Sequence, residues 1–455
     1  MSFASLAAQK MESAWKEAAR IEENIKPPVF PNRDYNVVDY GAVPNDSTKL
    51  CSEAINLAIV ECSVNGGGRV VVPAGTFLTG PVRLKSHVNL YLEKGARLLF
   101  SPRKELYLPQ VLTRWEGMDC YNYQPLIYAY GESDFAITGQ GIIDGNGSKD
   151  NWWNLCGSKD YGWKPGQLNQ NVSGRVRLLQ ASEGQLPIEQ RIMGTADALR
   201  PQLVNFVRCN NVLMEGVTLL NSPFWVIHPL LSENLTFRGL TIKNNGPNGD
   251  GCDPESCKNV LIENCFFSTG DDCIAIKSGR NSDGRKWNIP SENIIVRHCE
   301  MKNGHGGVVI GSEISGGFKN LFVEDCNMDS PNLDRVIRIK TSPCRGGIIE
   351  NVYVRNVKVG QCKEAVLKIN LLYDSKENCR PDFLPTVRQV YLQNVTCEKS
   401  RYGVMIIGLK DNEHVYDIHV SDCTFNGVEQ GNSINGAKDV FFNNLNINGK
   451  SVSGN

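Results

Sequence analysis

K-N-V-L-I-E-N-C-F-F, residues 258–267, returns one repeat later as E-N-I-I-V-R-H-C-E-M, residues 292–301. Both open on a polar pair, run through alternating apolar residues and carry a cysteine at one fixed place. The same marker, a polar pair before an aliphatic residue, recurs along the chain. It stands at Asn210-Asn211-Val212, Glu233-Asn234-Leu235, Lys258-Asn259-Val260, Glu292-Asn293-Ile294 and Lys319-Asn320-Leu321. Glu350-Asn351-Val352, Arg388-Gln389-Val390, Tyr416-Asp417-Ile418 and Lys438-Asp439-Val440 continue it. The period drifts between roughly 22 and 38 residues, the range of solenoid repeats or a little beyond. Each marker leads into a short strand of period-2 character, a Gly, Asn or Asp turn, and a second short strand such as C-I-A-I-K. No helix-length amphipathic segment intervenes. Several short strands per coil, stacked coil on coil, make an all-β parallel β-helix.

The cysteines fit this register. Cys265, Cys299, Cys326 and Cys423 fall six residues after their marker, where Val217, Val357 and Val395 stand in other repeats. Cys alternating with Val reads as an apolar ladder of free thiols. Rungs about 4.8 Å apart hold stacked Cβ atoms wider than a disulfide prefers.

The 455 residues could fill about three domains, but one elongated repeat fold absorbs them. We expect an N-terminal arm over residues 1–34 and a single catalytic β-helix over 35–455. A helix within Ser47–Val64, with Ala54, Leu57, Ala58 and Cys62 on one side, would cap the solenoid. Arg69–Pro73, Phe77–Val82 and Val88–Leu92 read as first-coil strands. Leu106–Tyr130 and Ser148–Ile192 break the rhythm and read as long loops. The 48 basic and 49 acidic residues nearly cancel, which argues against nucleic acid as a partner. No apolar run reaches the roughly 20 residues of a membrane span. Met1–Lys10 lacks the form of a signal peptide. The expectation is a periplasmic or secreted protein whose signal lies outside this sequence, with the cytoplasm as alternative.

Four segments hold the chemistry. They are N-G-D-G-C-D (Asn248–Asp253), T-G-D-D-C (Thr269–Cys273), N-G-H-G-G (Asn303–Gly307) and I-R-I-K (Ile337–Lys340). A turn aspartate alone is usually structural. Asp250 and Asp271, though, lie about one repeat apart, so stacking sets them on neighbouring rungs with Asp272 alongside. Like charges at that range separate into an acid and a base, as glycoside hydrolysis requires. His305 stands clear among glycines. Arg338 and Lys340, two apart, share one strand face and suit a substrate carboxylate. No histidine or cysteine spacing points to a metal, and no cofactor is expected.

In this order, on this background, the segments resemble glycoside hydrolase family 28, the polygalacturonase family. The likeness runs from about Tyr35 to the C-terminus and includes G-Q-G-I-I-D-G-N-G, Gly139–Gly147. It implies a right-handed β-helix and inverting hydrolysis of pectin-type polysaccharide. By motif, Asp271 would be the general acid, Asp250 and Asp272 would position the water, and His305 would support the acid. Arg338 and Lys340 would bind the uronate carboxylate, with Asn248 and Tyr373 as further substrate contacts. Gly249 and Gly270 stand where many endo-acting members have Thr and Gln. The longer contexts G-P-N-G-D-G-C-D-P-E-S and I-K-S-G-R look more like exo-acting bacterial members. Inserts at Tyr107–Tyr128 and Trp152–Gln185 could wall off one end of the groove. A rhamnogalacturonan or xylogalacturonan hydrolase, a calcium-dependent pectate lyase and a non-catalytic glycan-binding β-helix are the alternatives.

Overall fold

All nine repeat markers adopt the left-handed backbone conformation, with φ between 51° at Asp439 and 66° at Asn320. Asn and Asp enter that region most readily among residues with a Cβ, which is why the marker is nearly always one of them. The left-handed residue drops out of the strand pairing. Lys258 pairs with Glu292 and Val260 with Ile294, skipping Asn259 and Asn293. The freed side chains form a ladder. Asn293 donates to Asn259 at 3.0 Å, Asn320 to Asn293 at 2.9 Å and Asn351 to Asn320 at 3.0 Å.

The computed structural model describes residues 3–374, 377 and 379–454. A 24-stranded sheet dominates it, accompanied by sheets of six, four and two strands. This is the right-handed parallel β-helix that the repeat and the resemblance lead one to expect. Among the described residues no helix is long and apolar enough to cross a membrane.

The chain divides into two compact units. One comprises Ile25–Glu255 with Thr269–Asp271; the other comprises Met1–Asn24, Ser256–Ser268 and Asp272–Asn455. In the first, Gly68–Val72, Val88–Leu92, Ser133–Gly139, Asn210–Glu215 and Glu233–Arg238 stack in parallel. The helix Ser52–Val64 packs on its earliest strands. It buries Ala54, Ile55, Ala58, Ile59 and Cys62, whereas Leu57 is 52% exposed. The apolar stripe is centred on Ile55 and Cys62, which puts Leu57 on the far side.

The two inserts, expected as loops, carry regular structure. Val111–Trp115 and Met118–Asn122 form an antiparallel hairpin, and Gly174–Glu183 is helical. Trp115, Met118 and Cys120 of one insert and Leu178 of the other share an apolar cluster with Met193, Leu199, Phe224 and Trp225. Short strands between Trp, Gly and Asn do not show a period, so only the packing reveals them.

In the second unit, Lys258–Glu263, Ser291–Arg297, Phe318–Glu324, Ile348–Arg355, Thr386–Gln393, Val415–Phe425 and Val440–Ile447 stack in parallel. Cys265, Cys299, Cys326 and Cys423 are free and buried, as the ladder reading requires. Cys344 and Cys379 are bonded. Phe322, Tyr353, Tyr391, His419 and Phe441 occupy one register position on successive rungs, their rings stacked 4.7–5.5 Å apart. The helix Phe3–Asn24 lies along this unit. Trp15 meets Phe322 edge-on at 5.8 Å, and Glu22 pairs with Arg297.

Candidate active site

Asp250 and Asp271 are each preceded by a glycine, and one carbonyl explains both. A Cβ on Gly249 or on Gly270 would lie 2.5 Å from Gly246 O. No side chain fits either place, so the turns carrying the two acids close against Asn244–Gly246. Gly270 N donates to Asn244 O at 2.7 Å, and Val226 N to Asp250 O at 2.9 Å. Asn248 is left-handed at φ 50°, which swings the chain toward Asp250. Its Oδ1 accepts from Arg200 Nη2 at 2.6 Å. Arg200 is fully buried. It also donates to Pro223 O and Pro247 O, both at 2.7 Å, and to Gln170 Oε1 at 3.1 Å. Burial pulls its pKa down to about 10, which leaves it charged at neutral pH.

Asp272 is wholly buried. Lys340 Nζ donates to its Oδ2 at 2.7 Å and Arg338 Nη1 to its Oδ1 at 3.4 Å. Both cations do project from one face of the strand Arg335–Lys340, between the buried Ile337 and Ile339. They engage a protein carboxylate. Tyr373 lies beneath both, its ring centre 5.4 Å from the Arg338 guanidinium and 5.1 Å from Lys340 Nζ. The segment bearing Tyr373 is fastened through Glu377. That carboxylate pairs with Arg280 at 3.0 Å and Arg345 at 2.7 Å. Burial pushes the Glu377 pKa up, but the charges of Arg280 and Arg345 outweigh it and hold the group below its ordinary value. The Arg of I-K-S-G-R is thus a clamp on the Tyr373 segment.

The glycines around His305 have a steric cause too. A Cβ on Gly306 would stand 2.3 Å from Val309 and 3.1 Å from Asp272 Oδ1, and one on Gly307 2.6 Å from Met328 Sδ. His305 itself is exposed. Cys273 N donates to Gly306 O at 2.8 Å, so G-H-G-G is the rung beside Asp271-Asp272.

Asp250 and Asp271 place carboxylate oxygens within 4.8 Å of each other. Such a pair can share protons between an acid and a base.

The sequence profile described as glycosyl hydrolases family 28 matches residues 193–443, more than half of the chain. The chain belongs to family 28. Among solved structures, a hyperthermoactive exopolygalacturonase from Thermotoga maritima superposes with a TM-score of 0.92 at 42% identity, over 96% of both chains. The family 28 exopolygalacturonase of Yersinia enterocolitica gives 0.75 at 26% identity, over 92% of this chain and 75% of the other. An endo-polygalacturonase of Pectobacterium carotovorum is 27% identical over 82% of this chain and 85% of its own. In this family 28 hydrolase the motif residues gather in two sets. Asp250, Asp271 and Asn248 stand together, and so do Asp272, Arg338, Lys340 and Tyr373. Arg200 and Glu377 escaped the sequence reading. Neither lies in a repeat or a motif, and each acts on residues distant in the chain.

Proposed function

We propose that this enzyme removes single galacturonic acid residues from non-reducing ends of pectin-type polysaccharide, with inversion. The observation that carries the chemistry is the close pair of carboxylates, Asp250 and Asp271. Asp271 donates a proton to the leaving oxygen; Asp250 and Asp272 orient and deprotonate the water; His305 supports the acid. Arg338 and Lys340, over the Tyr373 ring, receive the uronate carboxylate. Terminal attack is supported by the folded inserts beside the Asp250 turn and by exopolygalacturonases among the similar structures. The Cys344–Cys379 bond suits an oxidising compartment, hence export.

The alternative stereochemistry is retention through Asp250 as nucleophile, the course of enzymes whose two carboxyl groups stand roughly 5–5.5 Å apart. Asp272, held by two cations, is poorly placed to attack. Proton NMR of the first-formed sugar decides. An inverted anomer is expected; a retained one, or a trapped glycosyl-enzyme, overturns the mechanism. Chromatography of early products from a long oligogalacturonide tests the mode. Monomer alone is expected, with no ultraviolet-absorbing double bond. A mixed ladder refutes terminal attack.

A further inference from the structure

Trp153 is fixed hard against the turn that carries the acids. Its indole Nε1 donates to Ser222 O at 2.9 Å. A Cβ on Gly147 would approach that nitrogen to 2.6 Å, and one on Gly246 to 2.5 Å. Gly246 is the residue whose carbonyl excludes side chains at Gly249 and Gly270. The contact series therefore runs from Trp153 through Gly246 to the glycines next to Asp250 and Asp271, without slack. A side chain at Gly147 or Gly246 would meet the Trp153 indole.

Trp153 meets Tyr161 edge-on, ring centres 6.5 Å apart. Tyr161 ends the short 3-10 turn Lys159–Tyr161. Gly162 follows at φ 90°, so close to Lys149 that a Cβ would lie 2.4 Å from Lys149 O. The ring is thus held by its neighbour on one side and a crowded turn on the other, and it is only half-buried. Burial raises the Tyr161 phenol pKa, and Cys156 and Asp271 add to the rise, so the ring stands within the field of the proposed acid. A half-buried aromatic held in this way is suited to stop and stack a sugar.

We propose that Tyr161, positioned by Trp153, ends the sugar groove beside Asp271, admitting one terminal residue and rejecting a chain that runs on. This rests on the terminal-attack reading above and names the residue that enforces it. Two substrates test it: a long oligogalacturonide, and the same oligomer methylated at O4 of its non-reducing end. Wild type should release monomer from the first and refuse the second. Tyr161→Ala should release dimer and trimer from the first. On the second its kcat/KM should rise roughly tenfold or more, the scale on which a pocket rejects one surplus group. Tyr161→Phe keeps the ring and should keep the wild-type pattern. A mixed ladder from wild type overturns terminal attack and this proposal with it. Monomer from wild type, with a Tyr161→Ala enzyme that still makes only monomer and refuses the blocked oligomer, overturns the role of Tyr161 alone. So does a Tyr161→Phe enzyme that opens the groove. Should the alanine variant not fold, Tyr161→Leu at matched melting temperature carries the same decision.

Discussion

Replacing Arg200 with methionine should cost both stability and turnover, by amounts that can be worked out. The side chain is fully buried and serves four acceptors: Pro223 O, Pro247 O, Asn248 Oδ1 and Gln170 Oε1. Methionine fills similar volume but donates nothing. Each orphaned buried acceptor costs about 1–3 kcal/mol, so four of them give a gross loss of about 4–12 kcal/mol. Against this stands the desolvation of the guanidinium, no longer incurred. A pKa lowered from 12.5 to about 10 corresponds to about 3 kcal/mol. The acceptors win, and the net destabilisation is about 1–9 kcal/mol. Because Asn248 loses its partner, the Asp250 turn loosens, and kcat should fall on the order of a hundredfold, the effect of an ångström of misplacement. Arg200→Lys should fall between, since an ammonium cannot span the same fork. Urea unfolding followed by circular dichroism gives the first number and initial rates the second. A methionine variant within about 1 kcal/mol of wild type, with kcat unchanged, would refute the assignment.

Asp271→Asn should remove turnover while leaving the melting temperature in place. A residual rate within about tenfold of wild type takes Asp271 out of the acid role, because acid catalysis contributes roughly 10²–10⁴-fold. Gly249→Thr, the residue of many endo-acting members, should not confer internal cleavage. Its Cβ would strike Gly246 O, so activity and stability should fall together, and a well-folded variant with a mixed product ladder contradicts this. Glu377→Gln tests the clamp by pH. A carboxylate whose folded pKa lies below 4.5 gives stability that is full above that value and is lost as pH falls through the depressed one. The variant should therefore be less stable than wild type at neutral pH, with the difference shrinking in acid; a gap independent of pH speaks against the ion pairs.

The fold was legible because its constraint is local. A left-handed residue in each coil favours Asn or Asp, and the core place six residues on takes Cys, Val or Leu, so both wrote themselves into the spacing. Gln389 fills the same left-handed place at φ 58°, which shows that the rung can impose the conformation on a less suitable residue. The acids and cations were legible as motifs, but their contacts were not. Nothing in I-R-I-K shows that Arg338 and Lys340 also bracket Asp272. Arg200 was invisible because a guanidinium that binds a loop 48 residues on leaves no period. The hairpin at Val111–Asn122 was hidden for a related reason: one face is buried in the shared apolar cluster and the other around the Arg114–Asp119 ion pair, so burial does not alternate.

The column of rings from Phe322 to Phe441 lies on an outer face of the sheet, where flat side chains at regular intervals invite another copy to lie down on them. The N-terminal helix occupies that place, with Met11, Ala14, Ala18 and Ile21 buried beneath it. Trimming the chain back to the first strand would therefore leave the reacting groups untouched and still spoil the preparation. The enzyme would turn over in dilute solution and precipitate on concentration, so its shelf life depends on a segment with no part in the chemistry.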